Sequence, residues 1–167
     1  MTNDNNRNLY RLRSIGRLVA FQAAYQEEIR AQVDRKLREQ REAQATVRES
    51  ETDYDPFAEP LDAFCDETQT NLTGSERAET LNFARRLYEG YRDRRAEVDA
   101  LLDAALTGRT LARVDVVARS ILRVAAYEIR FIKTPKAVVI SQALELGKKF
   151  GEKETPRFLN GVLDRVD

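Results

Sequence analysis

Apolar residues recur at intervals of three and four along most of the chain, and this spacing is typical of one face of an α-helix. Near the start, Ile15, Leu18, Val19 and Gln22 follow such a stripe. No segment alternates convincingly between apolar and polar residues at period two, as a half-buried strand would. The pattern therefore predicts an all-α protein.

Several helix starts are also visible. Thr73 and Glu76 have the spacing of a capping box, ahead of an apolar stripe that runs to Tyr91. A second stripe covers 98–106 and stops before Gly108, and Asp115 is placed to cap a third. We expect this third helix to be central, because its buried side would carry five apolar residues: Val117, Ile121, Val124, Ala125 and Phe131.

Two further helices are predicted from prolines, which the first turn of a helix tolerates. One follows Pro135 and is expected to stop near Gly151. The other contains Pro156 directly after Thr155, a candidate N-cap residue.

Residues 27–72 differ from the segments around them. The part over 27–49 is densely charged, with only a narrow apolar line through Ile29, Val33 and Leu37, and predicts a protruding, largely solvated helix. The acidic, proline-containing part from Ser50 to Pro60 predicts a linker. We therefore expect one domain over 1–167, made of a basic arm and first helix (1–26), a charged helix and flexible linker (27–72) and a helical core (73–167).

Composition excludes many kinds of catalytic and cofactor site. The chain has no histidine and one cysteine, Cys65, so zinc sites, histidine triads and an internal disulfide are not expected. Its seven glycines are scattered and form neither a phosphate loop nor a dinucleotide fingerprint. We predict no enzyme activity and no cofactor. The lack of a signal peptide or a long apolar run leads us to expect a cytoplasmic protein without a membrane span.

Charge is balanced overall, with 28 basic and 28 acidic residues, so any nucleic-acid site must be local. Between Asn5 and Gln26 there are four arginines and no acid. On a helix these arginines would share an arc of about 160°. Gly16 interrupts the segment and favours an arm that becomes helical on binding. The four arginines are Arg7, Arg11, Arg13 and Arg17.

An ordered series of sequence pieces resembles the NusB family of bacterial antitermination factors. The pieces are RLVAFQAAYQ (17–26), LYEGY (87–91), LRVAAYE (122–128), KAVVISQALELGKKFG (136–151) and TPRFLNGVLDRV (155–166). Together they cover about two thirds of the chain, while 27–72 corresponds poorly and resembles an enlarged connection. The resemblance implies a compact fold of two small bundles with about seven helices.

The resemblance also implies a function. Members of the family bind single-stranded boxA-type RNA together with the ribosomal protein NusE, in the elongation complex of RNA polymerase and the other Nus factors, during ribosomal RNA transcription. In the family's arginine-rich motif, Arg13 and Arg17 match, while Ser14 and Ile15 replace basic positions. We expect Arg7 and Arg11 to compensate, because phosphate contacts tolerate displacement.

The other implied contacts come from the first helix, the helix that Asp115 caps and the last helix. The family's RNA surface matches six residues here: Tyr25, Glu152, Glu154, Arg157, Phe158 and Asn160. An anion site near Thr155 is expected at the start of the last helix. The NusE surface of the family matches Ala118, where an acid is usual, together with Arg119 and Arg123. For Arg123 and Glu128 we favour an internal ion pair that holds the two halves together.

Two other functions stay open from the residues alone. A protein scaffold that uses the charged 27–49 helix would bind a partner chain but no RNA. A related helical domain is fused to RNA cytosine methyltransferases, but this chain carries no glycine-rich strand for S-adenosylmethionine. Self-association through the first helix, which is both apolar and basic, would cover the arginines.

Overall fold

The computed structural model describes residues 2–41 and 55–166, which form seven α-helices and no strand. The predicted all-α class and helix number are confirmed. A single 3₁₀ turn, Leu111–Arg113, precedes α5, and a π-helical segment, Glu128–Ile132, follows it directly. The helices are α1 (Thr2–Arg41), α2 (Ala58–Thr68), α3 (Gly74–Asp93), α4 (Arg95–Ala105), α5 (Val116–Tyr127), α6 (Lys136–Phe150) and α7 (Thr155–Leu163).

Helix α5 is shared by two bundles. On one side it packs against α1 and α3, and α2 lies on α1; on the other side it packs against α4, α6 and α7. Every residue from Ala118 to Tyr127 is buried, which agrees with the central position that the sequence predicts for this helix. Because both bundles pack against α5, contacts to this helix position the other helices.

Helix α1 is continuous over 40 residues, or about 60 Å at 1.5 Å per residue. Its middle part, from Leu12 to Ala24, supplies eight buried apolar residues to the core. From Arg30 to Arg38 every side chain is exposed, including Val33 and Leu37. The helix therefore projects beyond the core, and the remainder of the charged 27–49 segment, with the first part of the expected linker, lies outside the described residues.

Helix α2 begins inside the stretch that the sequence assigns to a linker. Phe57, Pro60 and Leu61 are buried in the core. The Asp55 carboxylate accepts hydrogen bonds from the backbone N–H groups of Phe57 and Ala58 at 2.9 and 3.3 Å. The expectation of a linker up to residue 72 is therefore wrong for 58–68, because burial of a few apolar residues against α1 outweighs the acidic composition.

The predicted caps of α3 and α5 are confirmed. Thr73 and Glu76 form a complete capping box, and Asp115 accepts from the N–H groups of Val117 and Ala118. The prediction that Thr155 is the N-cap residue of α7 is wrong. Glu154 is the N-cap residue, and the Thr155 hydroxyl instead accepts the backbone N–H of Glu152 at 3.0 Å.

Gly16 is needed where α1 crosses α3. A Cβ atom at this position would lie 2.9 Å from Cδ1 of Phe83 and 3.1 Å from the carbonyl oxygen of Thr80. The helix is continuous through this residue, so the glycine does not break it. Glycine lowers the stability of a helix, but at this position it allows α1 and α3 to approach closely.

We expect Gly16→Ala to lower the free energy of unfolding by about 1 kcal/mol, because overpacking at about 1 to 3 kcal/mol exceeds the helix-propensity gain of about 1 kcal/mol. Gly161→Ala is the matched control, since nothing lies within 4 Å of a Cβ atom there. It should stabilise the protein by about 0.5 to 1 kcal/mol. Urea denaturation measures both, and a stabilised Gly16→Ala protein would contradict the crossing argument.

Candidate nucleic-acid interface

The first turns of α1 present three exposed arginines, Arg7, Arg11 and Arg13. They are held in place by the start of α3. Asn8 Nδ2 and Arg11 Nη2 each donate to Oε1 of Glu76 at 3.0 Å. The basic arm is therefore a docked helix, and binding is not needed to make it helical.

Glu76 links the arm to the capping box. Its carboxylate accepts the backbone N–H and the hydroxyl of Thr73 at 2.9 and 3.0 Å, in addition to the bonds from α1. The Thr73 backbone N–H, the Asn8 amide, the Thr73 hydroxyl and the charge of Arg11 together lower the pKa of Glu76 to about 2. The carboxylate is thus ionised at neutral pH, and it draws Arg11 toward α3.

Arg13 is freer than Arg11. Its guanidinium lies 5.2 Å from the centre of the Phe83 ring, beside exposed Arg86. On the neighbouring side of α1, half-exposed Tyr10 accepts a hydrogen bond from Nε2 of Gln142 at 2.8 Å, which joins the arm to α6. The exposed face of the arm therefore combines positive charge with an aromatic ring.

Arg17 is in the core and not on this surface. It is only 4% exposed, and its Nε and Nη2 atoms donate to the two carboxylate oxygens of Glu128 at 2.8 and 2.6 Å. Its Nη1 atom is buried without a hydrogen-bond partner among the described residues. The prediction that Arg17 contacts RNA is therefore wrong, because its charge is used to fasten α1 to the end of α5.

The three residues predicted to contact the partner protein are also buried. Ala118, Arg119 and Arg123 are 3%, 9% and 6% exposed. Arg119 donates from Nε and Nη2 to one oxygen of Glu28, at 3.0 and 2.8 Å. Arg123 donates to the other oxygen of Glu28 and, through Nε and Nη2, to Asp99 at 2.8 and 2.9 Å. Their burial and internal ion pairs disagree with the predicted direct contact to the partner protein.

Arg123 and Glu128 are both buried in internal ion pairs, as the structural role favoured for them requires, but the expected pairing with each other is wrong. Arg123 binds Glu28 and Asp99, and Glu128 binds Arg17. Burial would raise the pKa of Glu28, but the charges of Arg123, Arg119 and Arg95 outweigh this effect and hold that pKa below its usual value. The carboxylate is therefore an anion inside the protein.

The residues of the last helix divide between two sides. Glu154 and Arg157 are exposed and Phe158 is half-buried. Asn160 is exposed but lies about 200° around the helix from Phe158, so the two point in opposite directions. Tyr25 is half-buried beside Phe21, whose ring contacts Phe150 at the end of α6. The predicted residues thus surround the α6–α7 connection and do not form one patch.

Two arginines near this region are missing from the sequence prediction. Arg109 places its guanidinium 5.4 Å from the centre of the Phe158 ring, and Arg165, just after the end of α7, lines the same groove as Phe158 and Gly161. Both are exposed. In the sequence, Arg109 is marked only by its position directly after Gly108, which follows a predicted helix. This position does not indicate which helix the Arg109 side chain faces.

Within 2–41 and 55–166, no helix is both long and apolar enough to cross a membrane.

Comparison with known proteins gives consistent matches. The model of the NusB family matches residues 14–167. The transcription antitermination protein NusB of Campylobacter jejuni subsp. doylei is 41% identical over 90 residues, which cover 54% of this chain and 68% of that protein. The protein of the same name from Elusimicrobium minutum is 43% identical over 86 residues, or 50% of this chain and 61% of the relative.

Solved structures extend the similarity to almost the whole fold. NusB of T. maritima superposes with a TM-score of 0.63 at 30% identity, and the alignment covers 92% of this chain and 89% of that one. A crystal structure of the antitermination factors NusB and NusE in complex with double-stranded RNA contains a chain with a TM-score of 0.63 at 20% identity, covering 93% and 96%. At that identity the second likeness concerns the fold alone.

The Glu76 network predicts a change of stability with pH. Its pKa in the folded protein, about 2, is below the ordinary value of 4.5, so its contribution is complete above about pH 4.5 and is lost as the pH falls toward 2. Glu76→Gln should flatten the decrease of unfolding free energy over this range. Glu79→Gln, which removes an exposed carboxylate one turn away, should keep the slope of the unchanged protein. Equal slopes for all three proteins in urea titrations would exclude the network.

The buried Arg17 and Glu128 pair predicts a large effect of removing one partner. Glu128→Gln leaves a buried guanidinium without its counter-charge and should cost about 3 to 5 kcal/mol. The double change Arg17→Met with Glu128→Met should recover most of this loss. The exposed Lys148 and Glu145 pair is the control, where Lys148→Ala should cost less than about 1 kcal/mol. Chemical denaturation would refute the assignment if Glu128→Gln and Lys148→Ala cost the same.

Proposed function

The chain belongs to the NusB family, and on that premise we propose that it is an RNA-binding antitermination factor that binds boxA-type RNA together with NusE during ribosomal RNA transcription. The match of the family model over 14–167 is the observation that carries the proposal. The relatives named as transcription antitermination proteins, and the shared fold of a NusB chain solved with NusE and RNA, support it. The proposed role is binding and not catalysis, in the cytoplasm beside RNA polymerase and the other Nus factors.

The first proposed RNA contact is the exposed face of the α1 arm. Arg7, Arg11 and Arg13 all precede the family match, which begins at residue 14, so their role rests on geometry. Arg7 and Arg11 lie one turn apart, and Arg13 lies about 160° around the helix from Arg11, so a strand that meets all three has to pass around α1. Because the helix is rigid, these cations neutralise phosphates without a flexible segment having to become ordered first. Arg11 shares its charge with Glu76, so Arg7 and Arg13 carry most of this contact.

The second proposed contact surrounds the α6–α7 connection. Phe158 and Tyr25 offer partly exposed rings on which unpaired bases can stack, at about 1 to 3 kcal/mol per base. Arg157 supplies charge for a phosphate, while Asn160 and Glu154 offer hydrogen-bonding groups for base edges. An RNA strand that uses both Phe158 and Asn160 has to pass around α7, because these residues face opposite sides.

For the partner protein we propose the exposed part of α5 near its first turn. Arg119 and Arg123 lie beneath this surface and support it through Glu28, so they act on binding indirectly. Val116 and Val117 are partly exposed above them.

A second copy of the chain on the arginine arm would compete with RNA. A loss of RNA affinity at higher protein concentration would reveal such self-association.

A titration tests the function itself. The protein, with and without NusE, is titrated into a boxA-like single-stranded RNA and into a scrambled sequence of equal length. We expect tighter binding to the boxA-like RNA and a further gain with NusE. Equal weak binding to both RNAs under every condition would leave only general electrostatic attraction.

The arm predicts a specific effect of charge removal. Arg7→Ala with Arg13→Ala should weaken RNA binding and reduce the slope of log affinity against log salt by about 1.4, at about 0.7 per lost phosphate contact on single-stranded RNA. Arg35→Ala with Arg38→Ala is the matched control, since it removes two exposed arginines from the other end of α1. Equal slopes for the two double variants would remove the arm from the RNA site.

A further inference from the structure

A groove lies between α7 and the connection that follows α4. Its volume is about 430 Å³, within the range of ligand sites. Arg109 and Thr107 line one wall, and Arg157, Phe158 and Arg165 line the other. Three guanidinium groups and a single carboxylate, that of Glu154, therefore face the same space.

The charges of this groove are largely uncompensated. Neither Arg109 nor Arg157 forms an ion pair with a carboxylate in the described part of the chain. Arg165 donates from Nη1 to the carbonyl oxygen of Ala105 and to the Thr107 hydroxyl, at 3.2 and 2.7 Å. This anchoring fixes one arm of its guanidinium group and leaves the remaining donors available to a ligand.

A second cleft, of about 370 Å³ beside Glu28, differs in this respect. Three of its four arginines, Arg95, Arg119 and Arg123, are already bound to Glu28 or Asp99. Internal carboxylates thus occupy the positions that an anionic ligand would need. In the groove along α7, by contrast, Arg109 and Arg157 face solvent without such a carboxylate partner among the described residues.

The backbone of the connection directs Arg109 into the groove. Gly108 has a φ of 74°, in the left-handed region that favours glycine, and the chain turns there. Arg109 then extends over Phe158, with the guanidinium carbon 5.4 Å from the ring centre. A guanidinium plane that lies over an aromatic ring can stack a nucleobase on its outer face, and its charge neutralises a phosphate.

We propose that this groove binds one nucleotide of single-stranded RNA, with Arg109 and Arg165 as phosphate-binding residues and the Arg109 guanidinium over the Phe158 ring as the stacking surface. The inference rests on the proposed function and extends the RNA path from the α6–α7 connection along α7 to the end of α4. Acidic protein segments also bind arginines, but the aromatic face beside Arg109 favours a base over a carboxylate.

Arg109→Ala tests the groove, with Arg113→Ala as the control because Arg113 is an equally exposed arginine four residues away and outside the groove. Binding to boxA-like RNA is measured by fluorescence anisotropy across a series of salt concentrations. Arg109→Ala should weaken binding about tenfold, equivalent to about 1.4 kcal/mol, and lower the salt slope by about 0.7. Arg109→Lys should keep the slope but recover only part of the affinity, since lysine lacks the planar stacking group.

A length series locates the nucleotide. When the RNA is shortened one nucleotide at a time from either end, the effect of Arg109→Ala should vanish once the nucleotide in the groove is gone. If the unchanged protein does not prefer boxA-like RNA, the proposed function fails and this inference fails with it. If it does, and Arg109→Ala equals Arg113→Ala at every length, the groove inference alone is overturned. Loss of NusE binding with unchanged RNA binding would assign the groove to protein and would also overturn it.

Discussion

The position of the long first helix depends on two buried carboxylates that arginines neutralise. Glu28 of α1 forms ion pairs with Arg119 and Arg123 of α5. In the other direction, Glu128, directly after α5, forms an ion pair with Arg17 of α1. The two helices thus exchange ion pairs in both directions. Removing such charges from water costs about as much as their attraction returns, so the pairs contribute more to register than to net stability. A helix whose apolar stripe could slide by one turn is held at a single register.

This arrangement divides the arginines into two groups. The first group, Arg17, Arg119 and Arg123, is buried in internal ion pairs. The second group, Arg7, Arg13, Arg109 and Arg157, faces solvent. A chain with no net charge can therefore still present local positive surfaces. The exposed arginines lie on rigid elements, the docked arm and the groove along α7. Rigid placement matters because a nucleic acid that meets preformed cations does not have to order them first.

The helices and their caps were predictable because the forces that form them are local. The capping box at Thr73 and the cap at Asp115 depend on residues within three positions of each other, and the apolar stripe of α5 has the helical period. The segment that became α2 has no comparable local signal, since its few apolar residues are stabilised by α1. The candidate site was less predictable: Arg17 and Arg13 are four residues apart in the same basic block, yet one is buried and the other is exposed.

By itself, the sequence determined the all-α class, most helix boundaries and, through its ordered series of pieces, the family. Only the tertiary structure decided which arginines are available, because availability depends on carboxylates 91 to 111 positions away in the chain. The tertiary structure also shows why residue 16 is glycine, since α1 and α3 cross there, and it places Arg109 over Phe158. Helix formation is governed by neighbours in sequence, whereas burial and ion pairing are governed by neighbours in space.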